Sequence, residues 1–544
     1  MTAAYQRAPE GTLVDDGPQP DGDVEPDALE APAESLPVGE RFRTWAARRT
    51  PGEVILATMV IAYVWYYTAR SLDNHHALGT SSYDSALYDQ GVWLLSQFEA
   101  PFVTLMGRNL FGDHASFILL FLVPVYWVVP AAGVLFFAQS AAIGAGAIPV
   151  FLYGRKRIGN EWCALVAAAA YLVHPAVGWT NLENFHPDGF LGAFVAFAIY
   201  AALERKWRMY AVFVVLSLLV KEDASLVIVP LGIWVAIQRD KRRGILTILG
   251  ALAFMAIAML VVMRGLNGVA TRNGWRIPFG GPGGVIDTAI TNPTDLWRYL
   301  TSDTRPWYVW QMTIPFAWLF FRLPWVAMIG SLVLFTNILS TFWYQYQIEY
   351  HYSLVIVPAL ALGTVHAIGV IREWWDVRVS TSDDGQQRVV SLPLRGVAVG
   401  VWGMAACVTS TLWAPVPWGN NPGWYGDPSN VYATSMREII EVVPSDAVVA
   451  AHHRVTPHMA HRTEIYQFPT PFRTVLYGQN GNEDGPRVVD RAERVEYVVL
   501  PTSLDDFPVD YWLRIDEAFD LVASNDIWLV YQRDFDVPLP PEAR

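Results

Sequence analysis

Apolar runs separated by short polar turns dominate this chain, and the charge of successive turns alternates. A helix needs roughly twenty mostly apolar residues to cross a hydrocarbon layer. Runs near 53–69, 133–153, 162–178, 189–203, 208–220, 224–238, 244–263, 306–321, 323–340, 353–371 and 395–414 predict about eleven membrane-spanning helices. Lys and Arg collect in cytoplasmic turns. Arg41, Arg43, Arg48 and Arg49 therefore put the N-terminus inside, as do the turns holding Arg155, Lys156 and Arg157, then Arg205, Lys206 and Arg208, then Arg239, Lys241, Arg242 and Arg243. Keeping all of these inside leaves room for a single span between Arg70 and Arg155. The stretch 115–132 begins at Asp113-His114 and carries Pro124 and Pro130, so it is assigned to an interfacial or re-entrant helix.

After Trp413 the period changes. Short β-type runs (Ala447–Ala450, Tyr497–Leu500, Ile527–Val530) alternate with a helical stretch at 430–442, which predicts a small α/β domain. The expected fold class is thus a polytopic α-helical membrane protein with an extracytoplasmic α/β domain at 415–544. A transmembrane domain would fill 51–414, with a first external loop at 70–132, and a cytoplasmic tail would occupy 1–50. The expected location is the plasma (inner) membrane.

Composition agrees with a bilayer as solvent: 53% of residues are hydrophobic and 16% charged, too apolar for a soluble chain of this length. The 23 Trp suit water–lipid interfaces. A net charge of −13, gathered largely at the two ends, argues against a nucleic-acid partner. Cys163 and Cys407 fall inside apolar runs, which predicts inert thiols. The first forty residues are acidic and Pro-rich without an apolar core, so a disordered tail is expected there, with no cleavable signal.

This topology sends most acids and imidazoles at membrane level to one side. The first external loop carries Tyr83–Trp93, with Asp84 and Asp89, and then Asp113-His114. Later external turns add Glu183 through Asp188, Lys221-Glu222-Asp223 and Glu349 through Tyr352. Ionisable groups at a membrane boundary are costly to desolvate, so converging turns of this kind imply a water-filled cavity with a task. On one helix Asp84 and Asp89 would stand about 140° apart, so a single member of the pair is expected to serve as base. A helix-capping role for Asp84, with Ser81 and Ser82 as competitors, is compatible with that task. Glu183, His186 and Asp188 offer metal-ligand chemistry, with loop capping as the plainer reading. Lys221 is a cation suited to a lipid-linked phosphate, and Arg264, Arg272 and Arg276 in the loop 264–305 are further phosphate partners. His452, His453, His458 and His461 form a histidine tract without the spacing of a known metal site. Phosphate-binding loops, dinucleotide fingerprints and nucleophile elbows are absent from the sequence.

Taken in order, Tyr83–Gln90, Asp113-His114, Glu183–Asp188, Lys221–Asp223, His351-Tyr352, Pro457–Arg462 and Ile465–Pro469 resemble the bacterial membrane family called domain of unknown function 2079, over roughly 55–500. That family in turn resembles the C-type glycosyltransferases, which take a sugar from a polyprenyl-phosphate carrier at the outer face and pass it to a lipid, protein or glycan. The resemblance implies an inverting displacement with Asp84 or Asp89 as the base that deprotonates or orients the acceptor. It also implies substrate contacts from His114, Lys221, Glu222, Asp223 and His351. No soluble cofactor is required, and if a divalent cation takes part, Glu183, His186 and Asp188 are its candidate ligands. The expected partners are the sugar donor, an extracytoplasmic acceptor and membrane lipid. This chain lacks the paired acid beside Asp84 and the Pro-Pro after His114 that the superfamily pattern carries. A multi-span transporter and a non-catalytic scaffold or sensor are the rival readings. A coupled transporter wants charges in mid-membrane, whereas these lie at helix ends.

Overall fold

The computed structural model describes residues 49–380, 387–421, 423, 426–478, 481–503 and 506–541. The chain divides into two units, Met1–Thr50 and Pro51–Arg544. The expected acidic tail lies almost wholly outside the described residues, whose helices and strands all belong to the second unit.

Among the described residues, five helices are long and apolar enough to cross a membrane: Pro51–His76, Ala132–Ile158, Lys241–Asn267, His351–Ile368 and Leu394–Trp413. A sixth candidate is the bent pair Glu161–Leu172 and Pro175–Leu182, which turns by 46° at its break. Proline accounts for that break: Pro175 supplies no N–H to continue the first helix, and His174 caps the second through its ring. The count of about eleven drawn from hydropathy thus exceeds what length alone supports. Asp188–Leu203, Trp207–Leu218 and Ala327–Leu339 are shorter apolar helices. The run 306–340 is divided among two helices, Arg305–Thr313 and Ser331–Leu339, and three 3-10 segments between them. Stretch 115–132 holds a 3-10 turn, Phe117–Phe121, and one short helix, Val123–Tyr126. Both pack on the helix Leu87–Ser96, with Trp127 donating to the Ser96 carbonyl at 3.0 Å.

His351–Ile368 is the most enclosed of these helices, whereas Pro51–His76 and Lys241–Asn267 leave most of their apolar surface outside the protein, as lipid-facing helices do. Several elements share one polarity. Asp188, Ser225 and His351 begin helices at the end of the bundle where the polar turns meet, and those helices finish at or near Leu203, Gln238 and Ile368. Polar groups lie at the two ends and an apolar slab fills the middle.

Residues 431–533 carry a five-stranded mixed sheet in the order Phe519–Ser524, Trp528–Arg533, Tyr497–Pro501, Val449–Ala451, Ile465–Gln467. The first two neighbouring pairs are antiparallel and the last two parallel. Central strands Val449–Ala451 and Tyr497–Pro501 are almost wholly buried, as β-rich runs covered on both faces should be. Helix Val431–Ile440 packs on this sheet, and the segment 453–465 reaches from it onto the first loop. Thr104 fixes that junction, since its hydroxyl donates to the Ile465 carbonyl at 2.5 Å and accepts from the Ile465 N–H at 3.0 Å.

Candidate active site

Asp84 sits in a tight turn, Ser82–Ala86, just ahead of the helix Leu87–Ser96. Its backbone is left-handed, with φ 68° and ψ −72°. Such a conformation strains a residue with a Cβ and persists only where the surroundings enforce it. The carboxyl caps no helix: Ala86 occupies the N-cap position and makes no side-chain bond. Its side chain is 42% exposed and faces His186, with Oδ1 3.3 Å from Nε2.

His186 is held on every side. Its N–H donates to Gln139 Oε1 at 2.7 Å, and its Nδ1 lies 2.9 Å from the Glu183 carbonyl oxygen, which leaves Nε2 directed at Asp84. Burial opposes charge on this ring, but Asp84 and then Glu183 outweigh it and push His186 up to about 9. For Asp84, desolvation pulls upward and the His186 charge, helped by Lys221, pulls further down, so the carboxyl stays ionised below its usual range. Burial pushes Glu183 up to about 8. Glu183 Oε2 accepts the His351 N–H at 2.5 Å and lies 3.1 Å from His351 Nδ1, while the His351 ring stacks on His186 at 3.7 Å.

Across the same space, Lys221 is buried between Asp188 at 3.7 Å and Asp223 at 3.8 Å. Burial works against its charge, yet those two carboxylates raise its pKa well above the ordinary value. Neighbouring Glu222 turns away to hold the Asp113-His114 segment, accepting from His114 Nδ1 at 2.8 Å and from the Ala115 N–H at 3.1 Å. Although burial favours its neutral form, the His114 contact carries Glu222 down to about 2. Glu222 is therefore a brace for His114.

These groups enclose a cavity of about 460 Å³. Asp84, His114, Glu183, His186, Lys221 and His351 all line it, so polar turns far apart in sequence meet at one place. Arg272 and Arg276, expected as phosphate partners, line it as well. Sequence reasoning places Tyr350 and Tyr352 in a converging external turn but misses Arg108, Phe342 and Tyr344 on that far wall. Arg108 reaches the rim and pairs with Asp113 at 3.2 Å, and Phe342, Tyr344, Tyr350 and Tyr352 stand beside the two arginines. The Arg276 guanidinium lies 4.2 Å from the Phe342 ring centre and donates to Tyr352 Oη at 3.2 Å. The density of aromatic residues between Phe342 and Tyr352 was the available signal. The arrangement offers an anion a cationic wall, a sugar ring aromatic faces, and a hydroxyl an ionised carboxylate.

Asp89 does not belong here. It is buried on the helix Leu87–Ser96, accepts from Tyr126 Oη at 2.7 Å and lies 2.9 Å from His461 Nε2. It lines a second cleft with His75, His76, His458 and His461. The histidine tract is likewise divided: His458 and His461 line this cleft, while His452 packs near Trp528. Asp188, expected beside Glu183 and His186, turns to Lys221, and His351 stands in its place. Glu183, His186 and His351 each bring one ligand atom within 4.8 Å of the others, a nitrogen and oxygen set that suits a divalent transition metal.

Two solved structures share this fold over nearly their whole length. ArnT from Cupriavidus metallidurans bound to undecaprenyl phosphate aligns with a TM-score of 0.50 at 13% identity, covering 87% of this chain and 97% of ArnT. Its apo form aligns with a TM-score of 0.50 at 12% identity, covering 89% and 99%. At such identity the likeness is one of fold. No functionally curated protein matches the sequence. The family model described as predicted membrane protein (DUF2079) matches residues 74–507, from the end of the first long helix through most of the mixed sheet, and the chain belongs to that family.

Proposed function

We propose that this protein is a membrane glycosyltransferase of the C type, moving a sugar from a polyprenyl-phosphate donor to an acceptor hydroxyl. The observation that carries the reading is Asp84: an ionised carboxylate in strained backbone, on a cavity that Lys221, Arg272, Arg276 and several aromatic rings also line. The fold shared with ArnT, crystallised with undecaprenyl phosphate, supports the donor class. In this reading the cavity opens outside the plasma membrane, the Arg/Lys turns lie in the cytoplasm, about eleven segments cross the membrane, and residues 415–544 form an extracytoplasmic domain.

Asp84 accepts the proton of the acceptor hydroxyl as that oxygen bonds to the anomeric carbon. The bond from that carbon to the phosphate oxygen breaks on the opposite face, its electron pair leaves with the polyprenyl phosphate, and configuration inverts. Lys221 with Arg272 and Arg276 stabilises the departing phosphate, and His186 keeps Asp84 aimed and ionised. In the alternative state with His186 neutral, Glu183, His186 and His351 would hold a divalent cation, whose charge would then take the place of the imidazolium beside Asp84. The charged cluster at helix ends favours this reading over a coupled transporter, which places its ionisable groups at mid-span.

The test is sugar release from radiolabelled polyprenyl-phosphate sugars by the full-length protein in nanodiscs, for wild type and Asp84→Asn. Donor binding by both with release by wild type alone is expected. Binding of no donor by either protein would remove the transferase reading.

A further inference from the structure

Opposite the Asp84 cavity, the bundle ends in a second charged pocket that the transferase reading does not use. It is lined by Tyr153, Lys156, Arg157, Glu204, Arg239 and His366 and encloses about 330 Å³. Its place follows from helix polarity. Asp188 lines up with the Asp84 cavity through Lys221, and its sixteen-residue helix, about 24 Å long, delivers Glu204 to the far end. The helix Ser225–Gln238 leads in the same way from the Lys221 turn to Arg239, and the helix from His351 leads to His366. The two pockets therefore stand about one hydrocarbon thickness apart.

Three cations share this pocket with one carboxylate. Glu204 is engaged by Lys156, whose side chain is otherwise 70% exposed. Arg157 and Arg239 are left facing the space, and the Nε of each is buried with no hydrogen-bond partner among the described residues. Arg239 is steadied over the Trp234 ring at 5.0 Å, a contact that fixes its plane without satisfying its donors. Tyr153 Oη, 2.5 Å from His366 Nδ1, adds a polar group on the same wall. Two guanidinium groups turned toward one small space with idle donors call for an oxyanion, and a phosphate accepts from several such donors at once.

We infer that this pocket binds the phosphate of an anionic phospholipid headgroup in the leaflet opposite the Asp84 cavity. A lipid is favoured over a soluble phosphate because Arg239 lies just before Lys241–Asn267, a helix that leaves most of its apolar surface outside the protein. Basic pockets of this kind between membrane helices collect anionic headgroups on the cytoplasmic side. This inference stands apart from the transferase reading.

The test uses the full-length protein, stripped of lipid in neutral detergent, and measures retained lipid by native mass spectrometry during titration with phosphatidylglycerol or phosphatidylcholine. Inorganic phosphate and glycerol phosphate are added as soluble competitors. Each cation near such a headgroup strengthens association by about fivefold, so Arg157→Gln with Arg239→Gln should weaken phosphatidylglycerol retention roughly twenty-five-fold. Phosphatidylcholine should be unaffected. Arg243→Gln, which removes a cation paired to Asp240 outside the pocket, should change little. Should the double variant fail to fold, the exposed Lys156→Gln alone should cost about fivefold. Equal retention of both lipids by wild type, or an undiminished preference in folded pocket variants, would overturn the assignment. Displacement of the lipid by millimolar free phosphate would overturn the choice of a lipid over a soluble ligand.

Discussion

Asp84 and Asp89 lie on the same short stretch of chain, yet the fold gives them opposite circumstances. Asp84 precedes the helix in left-handed backbone, is 42% exposed and meets His186 across a cavity. Asp89 lies within the helix, its side chain is 4% exposed, and Tyr126 and His461 occupy it. His461 comes from the chain segment beside the mixed sheet, so Asp89 ties that region to the first loop, as do Ser82 to Thr456 at 2.7 Å and Gln90 to the Arg462 carbonyl at 3.2 Å. A carboxylate with every partner internal serves the fold, and one that is strained and open toward a cavity is available to a ligand.

The sharpest break in that comparison is catalytic. Asp84→Asn should lower sugar transfer by about 10²–10⁴-fold, the usual span of general-base catalysis, with a melting temperature lowered only by the lost His186 pairing. Asp89→Asn should reverse the pattern. It weakens a buried charged network, so unfolding should ease by about 1–3 kcal/mol, and limited proteolysis should reach 430–541 sooner while folded protein still transfers sugar. If Asp89→Asn abolished transfer without loosening that region, the roles assigned to the two acids would be exchanged.

A smaller effect concerns the far wall. Arg276→Gln removes a charged donor from the cavity and should weaken donor binding by about tenfold, read from equilibrium binding of labelled donor.

The smallest is a pH dependence. His186 is raised from 6.5 to about 9, so its pairing with Asp84 contributes stability in full below 6.5 and loses it as pH rises through about 9. Asp84 is lowered from 3.8, so its share is present above 3.8 and is lost as pH falls through the lower folded value. The melting temperature should therefore decline between about 6.5 and 9, with Glu183, raised from 4.5 to about 8, adding its own decline up to about 8, and His186→Asn should make that limb shallower. An unchanged alkaline limb in His186→Asn would remove the Asp84–His186 pair from the account.

Much of this site was legible because membrane topology sorts residues. Once the basic turns are held on one side, the turns at Asp84, Glu183, Lys221 and His351 must fall on the other, and in the structure they line one cavity. Hydropathy does not carry the direction in which a carboxylate points. The left-handed turn at Asp84 and the capture of Asp89 by Tyr126 are tertiary events, and neither leaves a periodic trace. The same limit moved Asp188 from the metal-ligand set, because its carboxylate is drawn to the Lys221 ammonium while His186 is taken up by Asp84. Among the described residues helix length alone supports five or six spans, partly because 306–340, apolar enough for helices, is broken into 3-10 turns around Pro315 and Pro324.

The most direct test of the central claim is single-turnover sugar release by wild type and Asp84→Asn in nanodiscs, each saturated with the same polyprenyl-phosphate sugar and offered an acceptor hydroxyl. The account predicts equal donor occupancy with release by wild type alone. Equal release from both proteins would contradict it, leaving the strained carboxylate without a part in the chemistry.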